Sequence, residues 1–124
     1  MKFVLAKEYL YWWPIKIELP DPDKPGKWKT MSYTHQFAGV GEDEANALNK
    51  EIEALPTAEA KRAREHDLLI KASRGWRDVV GEDGNEVEYS EDVFRDALQQ
   101  TWYRVALYNA YAASLASPEA RKGN

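Results

Sequence analysis

Residues 75–94 read GWRDVVGEDGNEVEYSEDVF, and this stretch carries several structural instructions in succession. Gly75 follows a charged helical pattern and can supply the left-handed conformation that ends a helix. Trp76 then opens an apolar return toward the core, joined by Val79 and Val80. In Gly81 to Glu86, the pairs Asp83-Gly84 and Gly84-Asn85 tolerate the backbone angles of a tight reversal. Val87 and Tyr89 alternate with Glu86 and Glu88, the pattern of a short strand. Ser90 is suited to cap a following helix, and Glu91 and Asp92 suit its positive end. The stretch therefore predicts a helix end, a small β-clip and a newly capped helix.

Upstream, Tyr11, Trp13, Ile15, Ile17 and Leu19 alternate with Trp12, Pro14, Lys16, Glu18 and Pro20, which predicts a strand with one apolar face. Pro14 lacks a ladder donor and places that strand at an edge or a local break. After the loop Pro20–Lys27, Trp28 to Phe37 alternates again, with Met31, Tyr33 and Phe37 on one face. The two runs form a long β-hairpin. Ala45, Leu48, Ile52 and Leu55 recur at helical spacing. Pro56 breaks that helix, and Thr57 caps a second one that reaches Arg74. No aromatic residue lies between Ala38 and Gly75, so the bulky core falls between the hairpin and the C-terminal third, with the middle helices covering it. Phe3, Val4 and Leu5 could begin a strand or a short helix.

The expected fold class is α+β: an N-terminal antiparallel β-hairpin or small sheet packed with a C-terminal helical part that contains a short β-clip. A chain of 124 residues with 44% apolar content suffices for one domain. Its segments are residues 11–37 (hairpin), 42–74 (amphipathic helices), 75–90 (turn and clip), 91–116 (C-terminal helices) and 117–124 (a frayed tail). The net charge of −4 argues against a general nucleic-acid surface or an anionic membrane as partner. The chain has no cysteine, which removes disulfides and thiolate chemistry and suits a reducing cytosol. Phe3–Ala6 is too short an apolar core for a signal peptide. These features predict a soluble cytoplasmic protein.

Side chains that could carry chemistry are few. His35 continues the Met31-Tyr33-Phe37 face and reads as a partly buried structural histidine, while His66 lies in a charged helical run and is expected to face water. Neither has a second ligand at zinc-site spacing. The acidic turn Glu82-Asp83-Gly84-Asn85 fails as a calcium loop, because the earlier ligand positions would fall on Val79 and Gly81. Asp43/Glu44 and Glu91/Asp92 sit at helix starts, where the dipole accounts for them. Trp12, Trp13 and Trp28 could form a stacking platform for single-stranded nucleic acid, but the acidic balance favours core or interface packing. No catalytic, metal or cofactor site is predicted. Gly75, Trp76, Asp83, Gly84 and Ser90 are read as scaffold.

The functional clue lies in Trp102 to Ala116, where only Arg104, Asn109 and Ser114 are not apolar. A helix apolar nearly all round is either central to a core or covered by a partner. The alternative, in which its alanines pack against several neighbours, stays open. One stripe comprises Tyr103, Leu107, Tyr111 and Leu115; another comprises Trp102, Val105, Asn109 and Ala112. The second continues the spacing of Phe94 and Leu98 and is assigned to the domain's own core. The first, with two tyrosines among aliphatics, is the expected protein-binding surface. On that assignment, glutamate at positions 111 and 115 spares the fold and abolishes association.

The ordered set Gly75-Trp76, Asp83-Gly84, Val87-Glu88-Tyr89-Ser90, Ala106–Ala113 and Arg121-Lys122-Gly123-Asn124 resembles the tail assembly chaperones of long-tailed, siphovirus-type bacteriophages and prophages. The resemblance extends to Pro14-Ile15-Lys16-Ile17 and Tyr33–Leu48, and so covers most of the chain. The chain departs from it at Glu88-Tyr89-Ser90, where members often have Pro before Phe-Ser, and at Gly123, which interrupts a terminal Lys-Asn. The resemblance implies a non-enzymatic, self-associating chaperone in the cytoplasm of the bacterial host. Its implied partner is the tape-measure protein, which it coats during tail assembly, with neither nucleic acid nor membrane involved. A structural or minor virion tail subunit, or another small phage-encoded binding module, would share the interface-rich composition. An enzyme built on the acidic turn would need a pocket holding Asp83 or Glu82 beside a base.

Overall fold

The computed structural model describes residues 1–116; the expected tail at 117–124, including Arg121-Lys122-Gly123-Asn124, lies outside the described residues. Strands β1 (Leu10–Pro20) and β2 (Trp28–Ala38) pair antiparallel without a break, from Leu10 opposite Ala38 to Pro20 opposite Trp28. Their alternation places Ile15, Tyr33, His35 and Phe37 on one buried face. The intervening loop closes through the Asp21 amide, which donates to the Lys27 carbonyl at 2.9 Å, with Gly26 supplying a positive φ of 77°. β1 is an edge strand, the position that Pro14 tolerates.

The other edge of β2 is occupied by β3 (Ser73–Arg77), giving the order β1-β2-β3. This strand corrects the expected helix end. The helix stops at Lys71, and Gly75 stands in β3 opposite Gln36 rather than in a left-handed cap. Among the described glycines, positive φ occurs at Gly26 and Gly84. The segment SRGWR has no strand periodicity of its own; the unpaired edge of β2 draws it into the ladder. Its register slips by one residue: Gly75 faces Gln36, but Ser73 faces Phe37 and leaves Arg74 unpaired. Such a bulge resets the alternation of sides. Ser73 and Trp76, three apart in sequence, consequently both turn to the inner face.

Helix α1 (Glu42–Ala54) packs by Leu48 and Ile52 beside α2 (Ala58–Lys71), which starts with Thr57 Oγ1 accepting from the Ala60 amide at 3.1 Å. The core takes Leu69 and Ala72 from the end of α2, but no residue of α1. The covering role expected of both middle helices thus falls to α2 alone. Exposed ion pairs, including Arg64–Glu51 at 2.6 Å and Lys71–Glu44, join α1 to α2; such pairs add little stability. Helices α3 (Glu91–Ala97) and α4 (Thr101–Leu115) complete the layer over the sheet. The architecture is α+β. No helix among the described residues is long and apolar enough to cross a membrane.

The clip between β3 and α3 keeps the expected turn but only part of the expected pairing. The Val87 amide donates to Val79 O at 2.9 Å, and the Gly81 amide donates to Asn85 O at 2.9 Å. Gly84 adopts a φ of 81° at the tip, and Asp83 Oδ1 accepts from the Asn85 amide at 3.0 Å, an Asx-turn. The pairing extends only to a bridge between Val80 and Glu86, so Val87–Tyr89 is not a full strand. Ser90 Oγ accepts from the Val93 amide at 3.2 Å and starts α3. Trp76 locks the clip to the core. Its indole Nε1–H donates to Val87 O at 2.8 Å, and its ring stands edge-on to Tyr89 at 5.2 Å. Trp76→Ala is expected to destabilise the domain by about 3 kcal/mol, measured by urea denaturation; unchanged stability would show that the clip holds without the indole.

Candidate protein-binding site

Helix α4 is where the expected site and the structure diverge. Leu107 is fully buried and Tyr111 nearly so, both in the core cluster with Ile15, Phe37 and Phe94. Tyr103 packs against the same cluster and reaches the Tyr33 hydroxyl. Of the four residues expected at the interface, Leu115 alone is exposed, at 59%. The stripe expected in the core faces outward: Trp102 is 45% exposed and Val105 50%, with Asn109 and Ala112 beside them. The two faces are exchanged. The cause is the break between α3 and α4, where Gln99 and Gln100 turn back onto Asp96 O and Ala97 O. A continuous helix through Phe94 and Leu98 would carry Trp102 inward at the next step of four. Starting α4 anew at Thr101, after Gln100 in extended conformation, resets that phase. Glutamate at position 111 would therefore disrupt the core rather than spare it.

The outward face of α4 forms one wall of a groove of about 680 Å³ that follows β1. Trp13, Trp28, Trp102, Pro14 and Val105 give it an apolar lining, while Lys16 and Glu18 supply charges along the strand. Trp13 and Trp28 were considered together in the sequence, but Trp102 was not expected to join them, because more than seventy residues separate it from Trp28. The stacking platform of Trp12, Trp13 and Trp28 does not form. Adjacent strand residues point to opposite faces, and Trp12 lies on the outer face of the sheet under the Arg77 guanidinium, 4.4 Å from its ring centre. That contact is a cation–π pair. Residue types at single positions carry no signal of this groove; only the placement of α4 beside the sheet edge creates it.

In the core, a buried hydrogen-bond chain ties the elements together. The Ser73 hydroxyl donates to Leu69 O at 2.7 Å, so its oxygen is free to accept from His35 Nε2–H at 2.8 Å. That tautomer leaves Nδ1 as acceptor for the Tyr33 hydroxyl at 2.8 Å, and Tyr33 in turn accepts from Tyr103 at 2.5 Å. Burial pushes the Tyr33 and Tyr103 phenols above their ordinary range, so both stay protonated donors. Burial also pushes the imidazole down to about 3, so His35 is neutral. The histidine is structural, as expected, but fully rather than partly buried. His66 departs from expectation: its Nε2 is buried with no hydrogen-bond partner among the described residues, and burial with the nearby Arg104 charge holds its pKa below the usual value.

The acidic turn is occupied by its own scaffold. Besides its bond to the Asn85 amide, Asp83 contacts Asn85 Nδ2 through Oδ2 at 3.1 Å. These bonds hold its carboxyl below the usual carboxylate range. Among the described residues, no three His, Asp or Glu side chains converge as a metal-binding group. No protein-family model, curated protein or solved structure matches the chain.

The His35 chain makes stability depend on pH. In the unfolded chain the imidazole titrates near its ordinary 6.5, but in the folded domain only at about 3. Between these values the unfolded state binds one more proton, so the neutral-His35 contribution is complete above pH 6.5 and is lost as pH falls toward 3. The loss has a limiting slope of about 1.4 kcal/mol per pH unit. Urea denaturation of the native chain and His35→Gln at pH 7 and pH 5 checks this. The native chain's advantage is expected to shrink at pH 5, and a constant difference would contradict a neutral, buried imidazole.

Proposed function

We propose that the chain is a non-enzymatic binding protein whose outward α4 face covers an apolar helical client, and that it acts as a tail assembly chaperone for a phage tape-measure protein. The observation that carries the reading is that face itself: Trp102, Val105 and Tyr108 stand exposed along one helix beside a tryptophan-lined groove. An aromatic and aliphatic surface on a rigid helix suits transient burial of another helix's apolar stripe, with specificity from shape rather than from fixed charges. Identification of the client rests on the ordered resemblance that runs through Gly75-Trp76, Asp83-Gly84 and the Ala/Tyr-rich helix. Self-association and a site of action in the bacterial cytoplasm belong to the same reading.

The test is co-expression with a phage tape-measure protein. Trp102→Asp with Val105→Asp is expected to keep the native circular dichroism spectrum and reduce co-purification at least tenfold, because a carboxylate is desolvated only at high cost. Leu107→Asp, placed in the core, is expected to unfold. Full client binding by the folded Trp102/Val105 variant would remove α4's outer face from the function. Recovery of the chain in purified particles would favour a virion subunit over a chaperone.

A further inference from the structure

The groove beside α4 has a feature that a helix-covering surface does not require: its floor is the free edge of a β-strand. Among the described residues β1 pairs with β2 on one side only, and Pro14, Lys16 and Glu18 of that strand line the groove opposite Trp102 and Val105. An extended segment entering between an edge strand and a helix can add a strand to the sheet while its alternate side chains meet the helix. The same chain carries a segment of that character, exposed and unpaired. Lys2-Phe3-Val4-Leu5-Ala6 precedes β1 outside any regular element, with Phe3 and Leu5 each 87% exposed.

We propose that two copies of this chain exchange these segments, each laying residues 2–6 antiparallel along the β1 edge of the other. Charge and alternation select one register. With Lys2 opposite Glu18, Phe3 falls opposite Ile17, Val4 opposite Lys16, and Leu5 opposite Ile15. Odd-numbered residues of β1 face the core side and even-numbered ones the outer side. Phe3 and Leu5 then point toward the α4 side, while Val4 lies on the outer face and Lys2 meets the Glu18 carboxylate. Among the described residues neither Lys2 nor Glu18 has an ion-pair partner. Pro14, with no N–H to offer, falls opposite Ala6 at the end of the added strand.

The segment cannot reach that position on its own domain while the observed contacts hold. Glu8 pairs with Arg74 at 2.5 Å, and Arg74 belongs to β3, the opposite edge of the sheet from β1. The Tyr9 carbonyl accepts from the Gly39 amide at 2.9 Å, and Leu10 already pairs with Ala38. Folding back in the same register would require a reversal at Leu10 and would break all three contacts. A second copy meets the requirement with none of them lost, and reciprocal exchange closes as a two-fold dimer. The proposal concerns the same groove as the client-binding face, but it stands without any client.

Because the chain contains no cysteine, engineered thiols report the pairing directly. Separately purified Val4→Cys and Lys16→Cys chains, mixed and oxidised, are expected to give a reducible heterodimer well above the dimer yield of either alone. Light scattering of the native chain is expected to show twice the monomer mass, and Phe3→Asp with Leu5→Asp to return it to the monomer with the fold intact. A native chain that stays monomeric, a dimer that survives both aspartates, or a heterodimer yield no higher than the single-variant background would each overturn the proposal. So would an intrachain disulfide at monomer mass in the Val4→Cys/Lys16→Cys double variant. Client capture by a monomeric aspartate variant would leave the α4 reading standing on its own.

Discussion

A fully buried imidazole must have both nitrogens satisfied, and at His35 that requirement draws in four structural elements. Tyr33 answers from the same strand, Tyr103 extends the chain from α4, Ser73 answers from β3, and Leu69 O closes it at the end of α2. An unsatisfied group in this position would cost roughly 1–3 kcal/mol, so the partners hold one another in register. The bulge at Arg74 becomes intelligible on these terms. Without the slip, regular alternation would bring Arg74 rather than Ser73 to the inner face beside Trp76, where a guanidinium has no counter-charge. With it, Arg74 is free to reach Glu8, and the serine completes the chain.

The same constraint orients α4. Tyr103 must meet Tyr33, and from that contact Leu107 and Tyr111 follow at helical spacing onto Phe37 and its neighbours. Farther along the helix, the Tyr11 hydroxyl meets Ser114 Oγ at 2.9 Å and ties β1 to its last turn. Once that face is committed inward, Trp102 and Val105 have nowhere to go but out, because a single helical layer over three strands offers no second wall. The groove is a consequence of this geometry: a helix rich in apolar residues on both sides, laid beside the edge of a sheet that has three strands among the described residues.

Arrangement of the aromatic residues divides the molecule into two regimes. Inside, Tyr33, Phe37, Trp76, Tyr89, Phe94 and Tyr111 meet in tilted or edge-on contacts that exclude water from the polar chain. Outside, Trp28 and Trp102 remain exposed, and Trp12 is covered on one side by Arg77. Aromatic residues inside fix the fold, whereas those outside supply large, rigid contact area suited to a partner.

The hairpin, the break at Pro56-Thr57, the Asp83-Gly84 turn and the Ser90 cap were legible in the sequence because each depends on neighbours a few residues away: alternation, a missing donor, a tolerated positive φ, a side-chain acceptor. The apolar excess of residues 102–116 was equally legible. What sequence could not supply was any feature set by distant partners. β3 exists because β2 has an edge to fill, and its five residues carry no strand pattern alone. The two stripes of α4 are nearly equal in apolar character, so periodicity names both without choosing between them. Only the chain reversal at Gln99-Gln100 and the hydrogen bond from Tyr103 to Tyr33 decide which stripe is core, because a helix's rotation is fixed by what it packs against rather than by its own sequence.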